Sequence, residues 1–232
     1  MGKLNVQVIF SSIDGEANGY GGAGRLTTFI RLKGCNLNCR YCDTLYAQNP
    51  DPRNLMTIDE IIKEVGDAPN VTVTGGSPLF QPVRPLLEQL LVEFNKNVTI
   101  ETNGSYPVFW FSSNLRWVVD YKLPSSGMMQ YMTPDAFNRL REVDVIKFVI
   151  SDENDYNVAI DVLKNHSNWK AKKVFSPTMN IKYVRADDKR MPFVDTRWSA
   201  KLAEMMIKDK LYDVQYSLQI HKVLWPGAKQ ER

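Results

Sequence analysis

The chain has 232 residues, 44% hydrophobic and 24% charged, which is long enough to bury a core and too apolar for a disordered chain. Its 29 basic and 26 acidic residues leave a net charge of +3, too mild an excess to announce a nucleic-acid partner. No apolar run approaches the roughly 18 residues of a membrane span. The N-terminal residues lack a signal-peptide core, and Val6 stands where a myristoylation motif wants Ser or Thr. The expectation is a soluble, cytoplasmic protein forming one domain over 1–232, with no nucleic-acid or membrane partner.

In chain order, residues 10–25 read as a long loop. Thr27 to Leu32, β-branched and aromatic, reads as a strand released by Gly34, and a cysteine-bearing loop follows at its carboxyl end. Thr57 with Glu60 three residues on forms a capping box that opens a helix over 58–65. A strand over 70–74 runs into Gly75-Gly76-Ser77-Pro78. Leu86, Leu87, Leu90, Leu91 and Phe94 share one face of a helix over 83–94. Further strands are expected at 98–101, 117–120, 145–150, 172–176 and 213–217, and helices at 134–141, 155–165 and 196–209. Residues 124–132 and 177–195 read as loops. About six β/α units with short connections imply an α/β fold with a covered parallel sheet. A closed eight-unit barrel takes about 250 residues, so a partial (β/α) barrel fits better.

All three cysteines, Cys35, Cys39 and Cys42, fall within eight residues. An odd, crowded set is not a disulfide framework. Buried structural thiols are one plain reading. A zinc site is another, but its fourth ligand would have to come from His166 or His221, more than 120 residues away. Three thiolates in one C-x3-C-x2-C loop suit a third role: holding three irons of a four-iron cluster and leaving the fourth open. The cysteines, Gly75-Gly76, Thr102-Asn103-Gly104 and Lys122 all follow the carboxyl ends of successive strands, the edge where parallel β/α architectures build their sites. Each alone is equally a plain turn.

The cysteine motif and the later Gly-Gly-x-Pro turn resemble the radical S-adenosylmethionine superfamily. Ser12-Ile13-Asp14-Gly15-Glu16, Phe29 to Cys39, Tyr41-Cys42-Asp43-Thr44, Glu101 to Gly104 and Ser217 to Lys222 narrow the resemblance to its 7-carboxy-7-deazaguanine synthases. The resemblance implies a partial barrel, usually homodimeric, that converts 6-carboxy-5,6,7,8-tetrahydropterin to 7-carboxy-7-deazaguanine with loss of ammonia, in queuosine-type biosynthesis. It also implies a [4Fe-4S] cluster on Cys35, Cys39 and Cys42, S-adenosylmethionine on the open iron, Mg²⁺ and an external electron donor. The 5′-deoxyadenosyl radical would take a hydrogen from C6 of the pterin and later return it. Another small radical enzyme, such as a glycyl-radical activase, and a non-catalytic iron–sulfur module are the competing readings.

On the resemblance, Thr44 matches the Mg²⁺ position, ahead of its carboxylate neighbour Asp43. Arg31 offers a planar fork to a substrate carboxylate. Ile13, Asp14, Gly15 and Glu16 would border the pterin, with Thr74 lending a hydroxyl and His221 either joining the site or serving as a satisfied histidine. Tyr41 would pack on adenine and Gly76 would meet the methionine amine, while Lys122, Pro124 and Ser125 resemble a nucleoside-binding loop. Ser77 is a departure, because the superfamily usually has Glu there to hold the methionine amine. Nucleoside binding would then lean on backbone, on the cluster iron or on Glu101.

Overall fold

The computed structural model describes residues 2–14, 22–186 and 189–227. Seven strands lie parallel and adjacent in this order: β2 (Leu26–Leu32), β4 (Asn70–Gly75), β5 (Asn97–Thr102), β6 (Leu115–Tyr121), β7 (Val145–Ile150), β8 (Lys172–Pro177) and β11 (Val214–Tyr216). At the β2 side, β1 (Lys3–Ile13) and β3 (Leu55–Thr57) continue the sheet antiparallel. Among the described residues the edges β3 and β11 do not pair, so the α/β expectation of a partial rather than closed barrel holds. The central strands are apolar almost throughout because both faces are covered: Val71, Val73, Ile100, Val119, Ile146 and Phe148 are all buried.

The covering helices are α1 (Ile58–Val65), α2 (Arg84–Glu88), α3 (Pro134–Phe137), α4 (Glu153–Asn165), α5 (Arg197–Lys208) and the short α6 (Ile220–Leu224). The expected capping box opens α1. Thr57 Oγ1 accepts from Glu60 N at 3.3 Å while Thr57 N donates to Glu60 Oε2 at 2.7 Å. Ile58, Ile61 and Val65 then face the sheet, as Leu202 and Met206 do from α5.

Four expectations need correction. The loop expected from residue 10 begins inside β1, which pairs with β2 through Ile13. The outer half of β1 is only half-buried, so its sequence lacks the strict alternation that would have marked it. The segment 177–195 is not a loop. It contains β9 (Asn180–Ala186) and β10 (Lys189–Asp195), a hairpin that among the described residues pairs only with itself and whose charged residues interrupt any strand pattern. The helix expected over 83–94 changes at Gln89 from α to a π turn that runs to Glu93. The helix expected over 134–141 ends at Phe137, because Arg141 N donates to Asp144 Oδ2 at 2.8 Å instead of continuing the helical ladder.

Candidate active site

The carboxyl ends of the parallel strands open into one cavity of about 620 Å³. Its wall takes Arg31 from β2, the three cysteines from the loop that follows, Thr74, Gly75 and Gly76 from β4, and Glu101, Thr102 and Asn103 from β5. Asp120 and Lys122 come from β6, Lys147 from β7, and Gln219, His221 and Lys222 from α6 and its approach.

The cysteine loop is fixed mainly by backbone. Gly34 N donates to Ala47 O at 2.8 Å, Cys35 N to Gln48 O at 2.9 Å, and Ser77 N to Gly34 O at 2.8 Å. The last of these presses the β4 turn against the loop and explains its glycines. A Cβ on Gly75, where φ is 124°, would stand 2.1 Å from Leu32 O, and one on Gly76 would stand 2.3 Å from Gly34 O. These two positions serve close packing beneath the cysteines and are more than a generic turn.

The thiols are free and half-buried. Leu37 N and Asn103 Nδ2 point donors at Cys35 Sγ, at 3.4 and 3.6 Å, the kind of outer contact that steadies a cluster ligand. Burial pushes the Cys39 thiol up, and the Lys122 cation only partly offsets it. Among the described residues no three His, Cys, Asp or Glu side chains converge at single-ion distance. The three thiols line the same cavity, and the two N–H donors that reach them both converge on Cys35.

Charge in the cavity is paired and desolvated. Lys122 Nζ meets Asp120 Oδ2 at 2.7 Å, with side-chain exposures of 11% and 23%. Burial alone would lower the Lys122 pKa, but Asp120, helped by Tyr41 and Cys39, outweighs it and holds the ammonium charged. Burial likewise opposes the Asp120 anion, yet Lys122 and Lys147 keep its pKa below the ordinary carboxylate value. The Arg31 guanidinium sits 5.4 Å from the Phe10 ring centre and 5.9 Å from that of Tyr46. Among the described residues its Nε is buried without a hydrogen-bond partner, as are Tyr41 Oη and Ser12 Oγ on the same cavity.

Most of the expected site residues meet here: Cys35, Cys39, Cys42, Thr44, Ile13, Asp14, Arg31, Thr74, His221, Tyr41, Gly76 and Lys122 all line the cavity. Gly15 and Glu16 lie outside the described residues. Pro124 and Ser125 are not on the wall. They form a turn tied to the start of α4, where Ser125 N donates to Asp155 Oδ1 at 2.9 Å and its hydroxyl to Asp152 Oδ2 at 3.0 Å. That turn still touches the cysteine loop, through Arg40 N to Ser126 O at 3.1 Å. Ser77 is fully buried, 3.4 Å from Thr102 Oγ1, and is not among the residues on the wall. The cavity carboxylate at that end is Glu101, which accepts from the Thr74 hydroxyl at 2.7 Å.

Sequence reasoning did not single out Asp120, Lys147 or Lys222. Lys147 had a signal, a cation in the middle of an apolar strand, and Asp120 ends its strand two residues before Lys122. Nothing in the sequence links Lys222 to Asp43, 179 residues earlier.

A mostly parallel β/α sheet with three free thiols on the loop after its first parallel strand is the form of a radical S-adenosylmethionine enzyme, and residues 29–117 match the Radical SAM superfamily. The chain is 38% identical to the 7-carboxy-7-deazaguanine synthase of Clostridium acetobutylicum, covering 97% of this chain and 99% of that protein. It is 36% identical to the enzyme of the same name from Chlorobaculum tepidum, covering 97% and 96%. The chain belongs to the 7-carboxy-7-deazaguanine synthase family. The crystal structure of QueE from Escherichia coli shares the fold, with a TM-score of 0.69 at 20% identity over 93% of both chains.

Proposed function

We propose that this enzyme converts 6-carboxy-5,6,7,8-tetrahydropterin to 7-carboxy-7-deazaguanine with release of ammonia, in queuosine-type biosynthesis. One observation carries the reading: the blocks that resemble the synthases, far apart in sequence, line a single cavity at the carboxyl edge of the sheet. When bound, a [4Fe-4S] cluster on Cys35, Cys39 and Cys42 and S-adenosylmethionine supply the one-electron chemistry that opens the reaction.

The side chains then bind and orient. Arg31, steadied between two rings with Nε unspent, receives the substrate carboxylate as a planar fork. Thr74 and Glu101 act as one hydrogen-bonded pair, the hydroxyl proton committed to the carboxylate so that the threonine oxygen faces the ligand as an acceptor. Ile13 and Asp14 border the pterin, and His221 joins them from the tail. Lys122, charged and buried, supplies a cation for the nucleoside's carboxylate, with Tyr41 and Gly76 against the adenine and the methionine amine. Pro124 and Ser125 support this region by holding the turn against α4. Thr44 supplies an oxygen to Mg²⁺, a hard cation that keeps most of its waters. An external donor supplies the electron, and the active form is a homodimer.

Anaerobic turnover tests the reading. Cluster-loaded protein is mixed with 6-carboxytetrahydropterin, S-adenosylmethionine, Mg²⁺ and a reductant, and the products are read by mass spectrometry. Formation of 7-carboxy-7-deazaguanine is expected. Release of 5′-deoxyadenosine without it would keep the chemistry and discard the substrate.

A further inference from the structure

A hard dication beside the Asp43-Thr44 pair has a better ligand than a threonine: a carboxylate oxygen binds Mg²⁺ more strongly than a neutral hydroxyl. A site that uses Thr44 therefore needs a reason why Asp43 is withheld. The structure supplies one from the far end of the chain. Lys222 on α6 donates from Nζ to Asp43 Oδ2 at 2.6 Å, and the other oxygen, Oδ1, accepts from the Thr44 hydroxyl at 3.3 Å. Both oxygens of Asp43 are thus engaged.

We propose that Lys222 is a positioning residue: it keeps the Asp43 carboxylate off the divalent cation and holds it where it takes the Thr44 proton, leaving the Thr44 oxygen's lone pairs for the cation. The inference rests on the Mg²⁺ reading of Thr44 given above. A threonine hydroxyl has one proton to place. Its other neighbour is Cys42 Sγ at 3.9 Å, a sulfur committed to iron once the cluster is bound, so Asp43 is the acceptor that remains. The pair joins residues 179 apart, and although the Asp43 side chain is 51% exposed, the Lys222 side chain that reaches it is only 18% exposed. Because Lys222 sits one residue after His221, the same contact brings the tail against the cysteine loop. Gly227 closes on the hairpin beyond it, where a Cβ would stand 3.1 Å from Pro192.

The test uses Mn²⁺ as an EPR-visible probe on cluster-loaded, oxidised protein without pterin. Lys222→Met frees Asp43 and is expected to bind Mn²⁺ roughly 10-fold more tightly than the parent, the size of effect an outer-shell partner carries. Adding Asp43→Asn to that variant is expected to return Mn²⁺ binding to the parent level, and Lys222→Arg to stay near it. In turnover, Lys222→Met is expected to lower kcat and change the Mg²⁺ dependence. Lys222→Gln carries the same expectations if the methionine variant loses its cluster. Mn²⁺ binding unchanged in the uncharged variants, or a gain that survives Asp43→Asn, would overturn the proposal. Thr44→Ala run in parallel separates the two ideas: an unaltered Mg²⁺ response there would remove Thr44 as the metal ligand, while the Mn²⁺ data would still decide whether Lys222 withholds Asp43.

Discussion

The two ends of the parallel sheet use buried charge in opposite ways. At the amino end, Asp144 is completely buried and fully spoken for: it accepts from Trp117 N at 3.0 Å, Arg141 N at 2.8 Å and the Arg141 guanidinium at 2.9 Å. Arg141 gives two further donors to Ser112 O and Leu115 O. At the carboxyl end, Arg31 Nε and Tyr41 Oη are buried with no hydrogen-bond partner among the described residues. A fully satisfied network specifies and holds a fold, whereas buried polar atoms without partners need an explanation, and around a cavity a ligand is the simplest. Unpartnered buried hydroxyls also occur off the cavity, at Thr72, Ser151 and Ser199, so what marks the site is an arginine and a tyrosine left open on one wall.

The largest expected effect tests the carboxyl end. Cys39→Ala should abolish both the brown cluster absorbance and turnover, and retained turnover would remove the cluster assignment. Asp144→Ala should do the reverse, lowering unfolding free energy by about 3 kcal/mol in denaturant titrations while the surviving folded protein turns over normally. A loss of kcat in excess of the loss of folded protein would blur the division between the two ends. Arg31→Lys keeps the charge and loses the fork. It should raise KM for the pterin by roughly 30-fold, equivalent to about 2 kcal/mol, with no change in melting temperature. An unchanged KM would place the substrate carboxylate elsewhere.

Much of this division was legible in the sequence. The cysteine spacing, the β/α repeat and the glycines after β4 placed the site at the carboxyl edge before any coordinates, because spacing along one loop and periodicity along one element are local properties. The hairpin β9–β10 was not legible, since among the described residues its strands pair only with each other and its charged residues interrupt any alternation. The Asp144 clasp and the Lys222–Asp43 contact were also invisible, the first because a side chain overrode helix propensity at Arg141, the second because it joins the chain's ends. The absent glutamate at Ser77 read as a weakened contact. The fold shows a residue turned into the core, with Glu101 as the carboxylate on the wall.

The smallest effect is away from both ends. Hydrogen bonds from the Arg53 side chain and backbone lower the Asp51 pKa to about 2. A depressed carboxylate contributes stability above its unfolded pKa, near 4, and loses it as the pH falls through the folded value. Asp51→Asn should therefore be slightly less stable than the parent at pH 5, with the gap closing toward pH 2. A gap that persists at pH 2 would show that the contact acts by shape and not by charge.

The measurement that bears most directly on the site is EPR of the reduced, cluster-loaded protein with and without S-adenosylmethionine. Three protein thiolates leave one iron open, so the nucleoside should bind there and shift the signal. A signal that stays unchanged under saturating S-adenosylmethionine would contradict an open corner at Cys35, Cys39 and Cys42, and with it the account of the cavity as a radical active site.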